Sequence, residues 1–221
     1  KAPDINIVQK YIAKYEKEKI VIKYGGNVLI DRKVFNNFIS DINVLNKLGL
    51  SIIVVHGGGP RIKRELDKKK IVSKFINGLR VTDKSIINTV EEVLIDFNND
   101  IVNSLKKLGS QATSFHTKNN NIIEVEPERE ELGFVGVPKK INLNLIEGAL
   151  QENQIPIIAP LGLDKNSQVF NINGDTAASA IAKKLKSRRL ILMTNVEGVY
   201  DDQKKLISEI KPFDLENLIK W

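Results

Sequence analysis

Ser51-Ile52-Ile53-Val54-Val55-His56-Gly57-Gly58-Gly59-Pro60 decides the fold. Four consecutive β-branched aliphatic residues with no polar alternation predict a strand buried on both faces, as in the middle of a parallel sheet. Three glycines then break the strand. Pro60, tolerated in the first turn of a helix, opens a new helix running through Leu66. Upstream, Lys19-Ile20-Val21-Ile22-Lys23-Tyr24 is a second short β-branched run, ended by Gly25-Gly26. Between the two runs, Val34, Phe35, Phe38, Ile42 and Leu45 recur at helical spacing and stop at Gly49, a glycine terminator. Strand, helix, strand, glycines, helix is the order of an α/β protein built on a parallel sheet.

Working outward, residues 4–17 carry Ile5, Val8, Ile12 and Tyr15 on one face of an amphipathic helix, and Ser85 to Leu108 form a long helix. Asn119-Asn120-Asn121 predicts a hairpin between short strands near Phe115 and Ile122. Leu143 to Leu150 are helical, and Ile155 to Pro160 form a central strand leading to Leu161-Gly162. Beyond residue 165 the pattern restarts. Asn171-Ile172-Asn173-Gly174-Asp175 precedes an alanine-rich helix from Thr176 to Leu185, Arg189 to Thr194 read as a further buried strand, and Val196 to Asp201 form a turn beyond it. The two halves are expected to share one continuous sheet. Phe213 to Trp221 begin another amphipathic helix. Neither a fixed-period repeat nor a low-complexity linker interrupts the chain.

The 221 residues suit one large α/β unit or two closely joined halves. With no cysteine and only His56 and His116 as imidazoles, disulfides, thiolate metal sites and cysteine nucleophiles are excluded, and zinc chemistry nearly so. No apolar run approaches the ~18 residues that span a bilayer, and no signal-peptide core follows Lys1. The expected location is cytoplasmic, or plastid if a transit peptide has been removed. The net charge of +7 comes from lysines spread along the chain, with only seven arginines. That pattern is a solvated surface rather than the clustered arginine of a nucleic-acid site.

The chemistry concentrates at the strand ends. Gly25-Gly26 and Gly57-Gly58-Gly59 each follow a buried strand, where backbone amides unobstructed by Cβ, and the N-terminal end of a helix, outline a phosphate cradle. Neither turn fits a Walker loop or G-x-G-x-x-G. Lys23 interrupts an apolar strand, so its ammonium must escape to solvent or meet an anion. Arg80, within Gly78-Leu79-Arg80-Val81-Thr82, suits bidentate capture of a carboxylate or, alternatively, a surface ion pair with Asp83 or Glu91. Asp175 is either a helix N-cap or the acidic partner of Lys23. Lys23 with Asp175 beside two glycine cradles is what phosphoryl transfer without a covalent intermediate would need; transfer to a carboxylate, already ionised near neutral pH, requires no general base, so His56 reads as structural.

Ile22-Lys23-Tyr24-Gly25-Gly26-Asn27, Val55 to Pro60, Asn77 to Thr82, Gly133-Phe134-Val135-Gly136, Phe170 to Asp175 and Thr194 to Asp201 together resemble the acetylglutamate kinases of the amino acid kinase superfamily. The lysine-glycine and histidine-triglycine turns are shared across the superfamily. The Gly-Leu-Arg-Val-Thr segment is more particular to acetylglutamate kinases. The resemblance implies a three-layer αβα sandwich with a central, mostly parallel sheet. It also implies ATP-dependent phosphorylation of the side-chain carboxylate of N-acetyl-L-glutamate, the second step of arginine biosynthesis. It divides the chain into an N-terminal helix (1–18), an acetylglutamate-binding lobe (19–165) and an ATP-binding lobe (166–221). Lys23 would be the transition-state cation, and Asp175 would organise the active-site lysines. Gly58, Gly59, Arg80 and Asn171 would bind acetylglutamate, with Gly25, Gly26 and Gly57 around the phosphates. Thr194, Asn195, Val199 and Tyr200 would line the nucleotide pocket, and Mg²⁺ would arrive with ATP rather than in a protein metal site.

Members of the family carry a further Gly-Met-x-x-Lys segment whose lysine is a second transition-state cation. The sequence stops short of it, so residues are expected to be missing at one or both ends, and a protein ending physically at Trp221 is expected to be inactive. The alternatives are an aspartate, glutamate or uridylate kinase of the superfamily, against which Arg80 argues, and a non-catalytic regulator, against which Lys23 with Asp175 argues. The helix of residues 4–17 resembles the one that links dimers in arginine-inhibited hexameric members; otherwise it folds back on its own domain. A homodimer or hexamer is expected, with arginine feedback possible and neither nucleic acid nor membrane as partner.

Overall fold

The computed structural model describes residues 4–16, 18–25, 31–194, 196–211 and 213. Five strands form the main sheet, in the order β11 (Arg189–Met193), β1 (Lys19–Tyr24), β2 (Ser51–His56), β8 (Ile155–Ile158), β5 (Ala112–Phe115). Every pair within it is parallel. Strand β11 lies beyond residue 165 yet pairs with β1, so the sheet does draw on both halves of the chain.

Helices cover both faces, as expected for a three-layer sandwich. On one face, Ile20, Ile22 and Tyr24 of β1 and Ile52 and Val54 of β2 pack under α2 (Arg32–Lys47) and α4 (Ile87–Lys107), through Phe38, Ile39, Ile42, Phe97, Ile101 and Leu105. On the other face, Val21, Ile53 and Val55 pack against α5 (Leu143–Gln151) and α6 (Gly174–Leu185), through Ile146, Ala177, Ala178 and Ile181. This alternation is the period-2 geometry of a strand. It matters for function because Lys23 shares the face of Val21, towards α6, whereas His56 shares the face of Val54, towards α4. Helix α3 (Gly59–Lys68) packs on α4 through Ile62, Leu66, Val90 and Leu94. Helix α1 (Ile5–Tyr15) is capped by Asp4, whose side chain accepts from the Asn6 amide at 2.7 Å. It leaves Ile7 and Tyr11 exposed while Tyr15 rests on the core.

Several expectations need correction. Ala112–Phe115 and Ile123–Pro127 do not pair as a hairpin: the first belongs to the main sheet, beside β8, while the second, β6, belongs to a separate four-stranded sheet. The turn between them closes through His116 and Asn119, whose backbones exchange hydrogen bonds of 2.9 and 3.0 Å. That second sheet, ordered β10 (Val169–Asn171), β9 (Leu161–Leu163), β6, β7 (Gly136–Ile141), is not anticipated by the sequence reading. The run expected as one strand through Pro160 therefore ends at Ile158, and the chain changes sheets at Ala159-Pro160. Strand β11 is not buried. Among the described residues it pairs with β1 on one side only, and Leu190, Ile191 and Leu192 are exposed. Its apolar run has the composition of a central strand, and among the described residues it stands last in the sheet order. The helix expected over Phe213 to Trp221 lies, apart from Phe213, outside the described residues.

Candidate active site

A cleft of about 210 Å³ opens at the carboxyl ends of β1, β2 and β8. Sheets of this class place ligands at that end. Lys23, Gly57, Gly58, Gly59, Arg80, Asn171 and Asp175 all line it, so the structure gathers most of the sequence-predicted residues, drawn from both sides of residue 165, around one space.

Lys23 reaches into the cleft from the α6 face of β1. Only 12% of its side chain is exposed, and its Nζ lies 2.9 Å from Asp175 Oδ1, whose side chain is 54% exposed. The alternative for Asp175 as helix cap is settled locally. Asn173 is the N-cap of α6, its Oδ1 accepting from the amides of Asp175 and Thr176 at 2.9 and 3.0 Å, which leaves the Asp175 carboxylate for Lys23. Gly25 forms the floor beneath the ammonium. A Cβ built on it would stand 2.4 Å from Lys23 Nζ, so a side chain there and the ammonium in its present place are incompatible. Beneath these residues Tyr24 stacks on Phe38 with ring centroids 4.0 Å apart, and burial pushes its phenol up to about 12.

The triglycine turn divides its labour. The Gly57 amide donates to Tyr24 O at 2.7 Å and is thus engaged within the protein, whereas the Gly58 amide has no backbone partner among the described residues. Gly58 is the N-cap of α3 and Gly59 its first residue, so both amides belong to the orphan donors of a helix start, with the helix dipole behind them. Gly58 is required by crowding: a Cβ there would lie 2.4 Å from Leu94 Cδ2. His56, fully buried, is held at about 4 by desolvation and is neutral near pH 7. It donates or accepts only within the protein, consistent with a structural role.

Arg80 makes neither ion pair offered as its alternative. It is 8% exposed, donates from Nη2 to Gly59 O at 3.2 Å and from Nη1 to Ser73 Oγ, and lies over the Phe75 ring at 4.7 Å. Glu91 instead accepts from Thr117 and pairs with Lys118. Among the described residues no carboxylate pairs with Arg80. Burial lowers its pKa, and a guanidinium nevertheless stays charged. A buried cation without a counter-ion, facing a cleft, favours an anionic guest.

A strap unforeseen as part of the site ties Arg80 to Asn171. Thr82 O accepts from the Phe134 amide at 2.6 Å, and Asn171 N donates to Phe134 O at 2.9 Å. Gly133 makes this possible: its φ is +68°, and a Cβ would meet Thr82 O at 2.5 Å. The apolar wall of Phe75, Leu79, Val135 and Ile172 was also missed, and only assembly of the two sheets brings it together.

The nucleotide residues stand apart. Thr194 follows Met193, the register partner of Tyr24, and so emerges beside Gly25. Val199 and Tyr200 are exposed in a hairpin closed by Tyr200 and Leu206 and do not line the cleft. Gly26 and Asn195 lie outside the described residues. Among those residues no three His, Asp or Glu side chains converge to hold a metal, and no helix is long and apolar enough to cross a membrane.

Residues 18–220 match the amino acid kinase family. The chain is 52% identical to the acetylglutamate kinase of Pelagibacter ubique, over 98% of this chain and 75% of that one, and 40% identical to that of Clostridioides difficile, over 95% and 75%. Among solved structures, smu.665 from Streptococcus mutans superposes with a TM-score of 0.81 at 32% identity, covering 91% of this chain and 82% of its own.

Proposed function

The chain belongs to the amino acid kinase family, and from that premise we propose that the cleft around Lys23 and Arg80 is its active site. The reaction is transfer of the terminal phosphoryl group of ATP to the side-chain carboxylate of N-acetyl-L-glutamate, the second step of arginine biosynthesis. The observation that carries the site assignment is the pair of cations facing one cleft: an ammonium almost removed from solvent and a guanidinium with no carboxylate partner among the described residues.

The substrates are a dicarboxylate and a polyphosphate, so the chemistry is the mutual approach of anions. Arg80, rigidly held by Gly59, Ser73 and Phe75, takes the α-carboxylate by a two-pronged contact, with Asn171 beside it. The side-chain carboxylate then faces the Gly58 and Gly59 amides and the Lys23 ammonium. It is ionised and attacks phosphorus directly, with no proton to remove and no covalent enzyme intermediate. Lys23 stabilises charge on the transferring group, and Asp175 holds Lys23 in position without contacting substrate. The nucleotide enters from the side of Thr194, with Asn195, Val199 and Tyr200 as its further contacts. With one lining carboxylate, already paired to Lys23, the cleft fits a Mg²⁺ carried on phosphate oxygens and water rather than caged by side chains. When bound, that ion neutralises phosphate charge.

The test is ADP release by the full-length protein. It is expected to depend on N-acetyl-L-glutamate and to be near background with glutamate or aspartate. Equal rates with the unacetylated acids would overturn the assignment.

The exposed Ile7 and Tyr11 of α1, one helical turn apart, support a role for this helix in joining copies of the chain into dimers or hexamers; arginine feedback through the same helix is proposed on the resemblance to arginine-inhibited hexameric kinases alone. Removal of residues 1–17 is expected to lower the solution mass and abolish arginine inhibition; unchanged values of both would refute it.

A further inference from the structure

His56 ends β2 in the middle of the sheet, fully buried, and the reaction has no use for it as an acid or base. Its ring nevertheless sits in a chain of hydrogen bonds that leads from the interior to the cleft. Asn98 of α4, also fully buried, donates from Nδ2 to Ile157 O at 2.9 Å and to His56 Nε2 at 3.1 Å, and its Oδ1 accepts from Ser114 Oγ. His56 Nδ1 lies 2.9 Å from Gly57 O. Phe97 meets the ring edge-on, 5.1 Å between centroids, and restricts its tilt.

These contacts fix the direction of every proton. A backbone carbonyl only accepts, so Ile157 O forces the NH₂ side of Asn98 towards itself and towards His56. His56 Nε2 is therefore the acceptor and carries no proton, and in the neutral ring the proton must sit on Nδ1, donated to Gly57 O. In a trans peptide the carbonyl and the following amide hydrogen point in opposite directions. Drawing Gly57 O inward towards the imidazole thus aims the Gly58 N–H outward, into the cleft. Two adjacent glycines would otherwise rotate this peptide at little cost.

We infer that His56 is a positioning residue for phosphoryl transfer, holding the Gly57–Gly58 peptide so that the Gly58 amide points at the reacting anion. The low pKa of the buried ring, about 4, keeps it neutral near pH 7, so that the hydrogen bonds alone select the tautomer. The inference rests on the cleft being the phosphoryl-transfer site, but the orientation itself is measurable without turnover.

In the 15N-labelled full-length protein at pH 7, imidazole spectra are expected to show Nδ1 protonated and Nε2 bare; the opposite tautomer overturns the inference. Asparagine places an amide N–H near the Nδ1 position, whereas glutamine reaches only the Nε2 position. His56→Asn is therefore expected to keep the Gly58 amide resonance close to its original shift and kcat within about threefold. His56→Gln is expected to move that resonance and lower kcat at least about tenfold, with a smaller change in KM. Equal kcat in the two variants, or an unmoved Gly58 resonance in the glutamine variant, overturns the inference. If the original protein shows no acetylglutamate-dependent turnover while the tautomer and the two Gly58 shifts come out as stated, the reaction assignment falls and the positioning role stands.

Discussion

Lys23→Met is expected to lower kcat by about a thousandfold or more while leaving the folded protein intact, because it removes the positioned cation and little else. Both reactants are anions, and in the loose transition state charge shifts onto the oxygens that flank the transferring group. An ammonium already desolvated and aimed costs no reorganisation when that charge develops. A thousandfold corresponds to about 4 kcal/mol of transition-state stabilisation. Stability is expected to change little. Methionine fills the space of the lysine stem, and the carboxylate left behind, on Asp175, is half exposed and therefore not a buried orphan. An ion pair with one partner so exposed contributes at most about 1 kcal/mol. Lys23→Arg is expected not to rescue activity, since a longer, planar guanidinium cannot put its charge where the Nζ stands, 2.9 Å from Asp175 Oδ1. The check is the initial rate of ADP release at saturating substrates, with circular dichroism and a melting curve as the control for folding. A loss below about tenfold in a folded variant would remove Lys23 from the chemistry.

That a lysine in the strand Ile20 to Tyr24 had such a part was legible in the sequence, because an ammonium in a two-faced apolar run has few places to go. The parallel sheet was equally legible, since each strand from Ile20 and Ile52 was closed by glycines at the same end. What local pattern does not contain is partnership over distance. The run from Arg189 to Met193 has the composition of a central strand, and only the strand order puts it last among the described strands of the sheet. Residues 155–160 read as one central strand, yet Pro160 lacks an amide hydrogen and the chain passes there into a second sheet. The strap through Gly133 depends on one positive φ and on the approach of Thr82, 51 residues away, and neither leaves a local signature beyond the glycine itself.

The site residues divide in the same way. The glycines and Lys23 declared themselves because each is anomalous where it stands. Asn98 did not: an asparagine in a long amphipathic helix reads as a polar-face residue until packing turns it inward against His56 and Ile157. Asn173 could have been found from sequence, since a helix whose Asp stands two residues after an Asn offers two candidate caps. The competition is decided by geometry, with Asn173 taking both amides and freeing Asp175 for Lys23.

Arg80→Lys separates binding from chemistry, and its expected result is an increase of about a hundredfold in KM for N-acetyl-L-glutamate with kcat reduced far less. The α-carboxylate is remote from the bond being made and bears the same charge in ground and transition states, so its contact with Arg80 is uniform binding, which appears in KM. Lysine preserves the charge but loses three things the structure shows: the donation to Gly59 O, the donation to Ser73 Oγ, and the flat stacking on Phe75. Those contacts hold the guanidinium still, and its remaining edge presents two parallel donors that a carboxylate matches and an ammonium does not. A hundredfold corresponds to about 2.7 kcal/mol, within the range of a charge-assisted bidentate contact in a partly desolvated site. The KM for ATP is expected to stay within about threefold, because Arg80 lines the cleft and Thr194 does not. A drop in kcat as large as the rise in KM would place Arg80 on the reacting group instead. An unchanged KM for acetylglutamate would mean that the unpaired guanidinium serves only to clamp the start of α3 to the strand pair of Phe75–Ile76 and Leu79–Arg80.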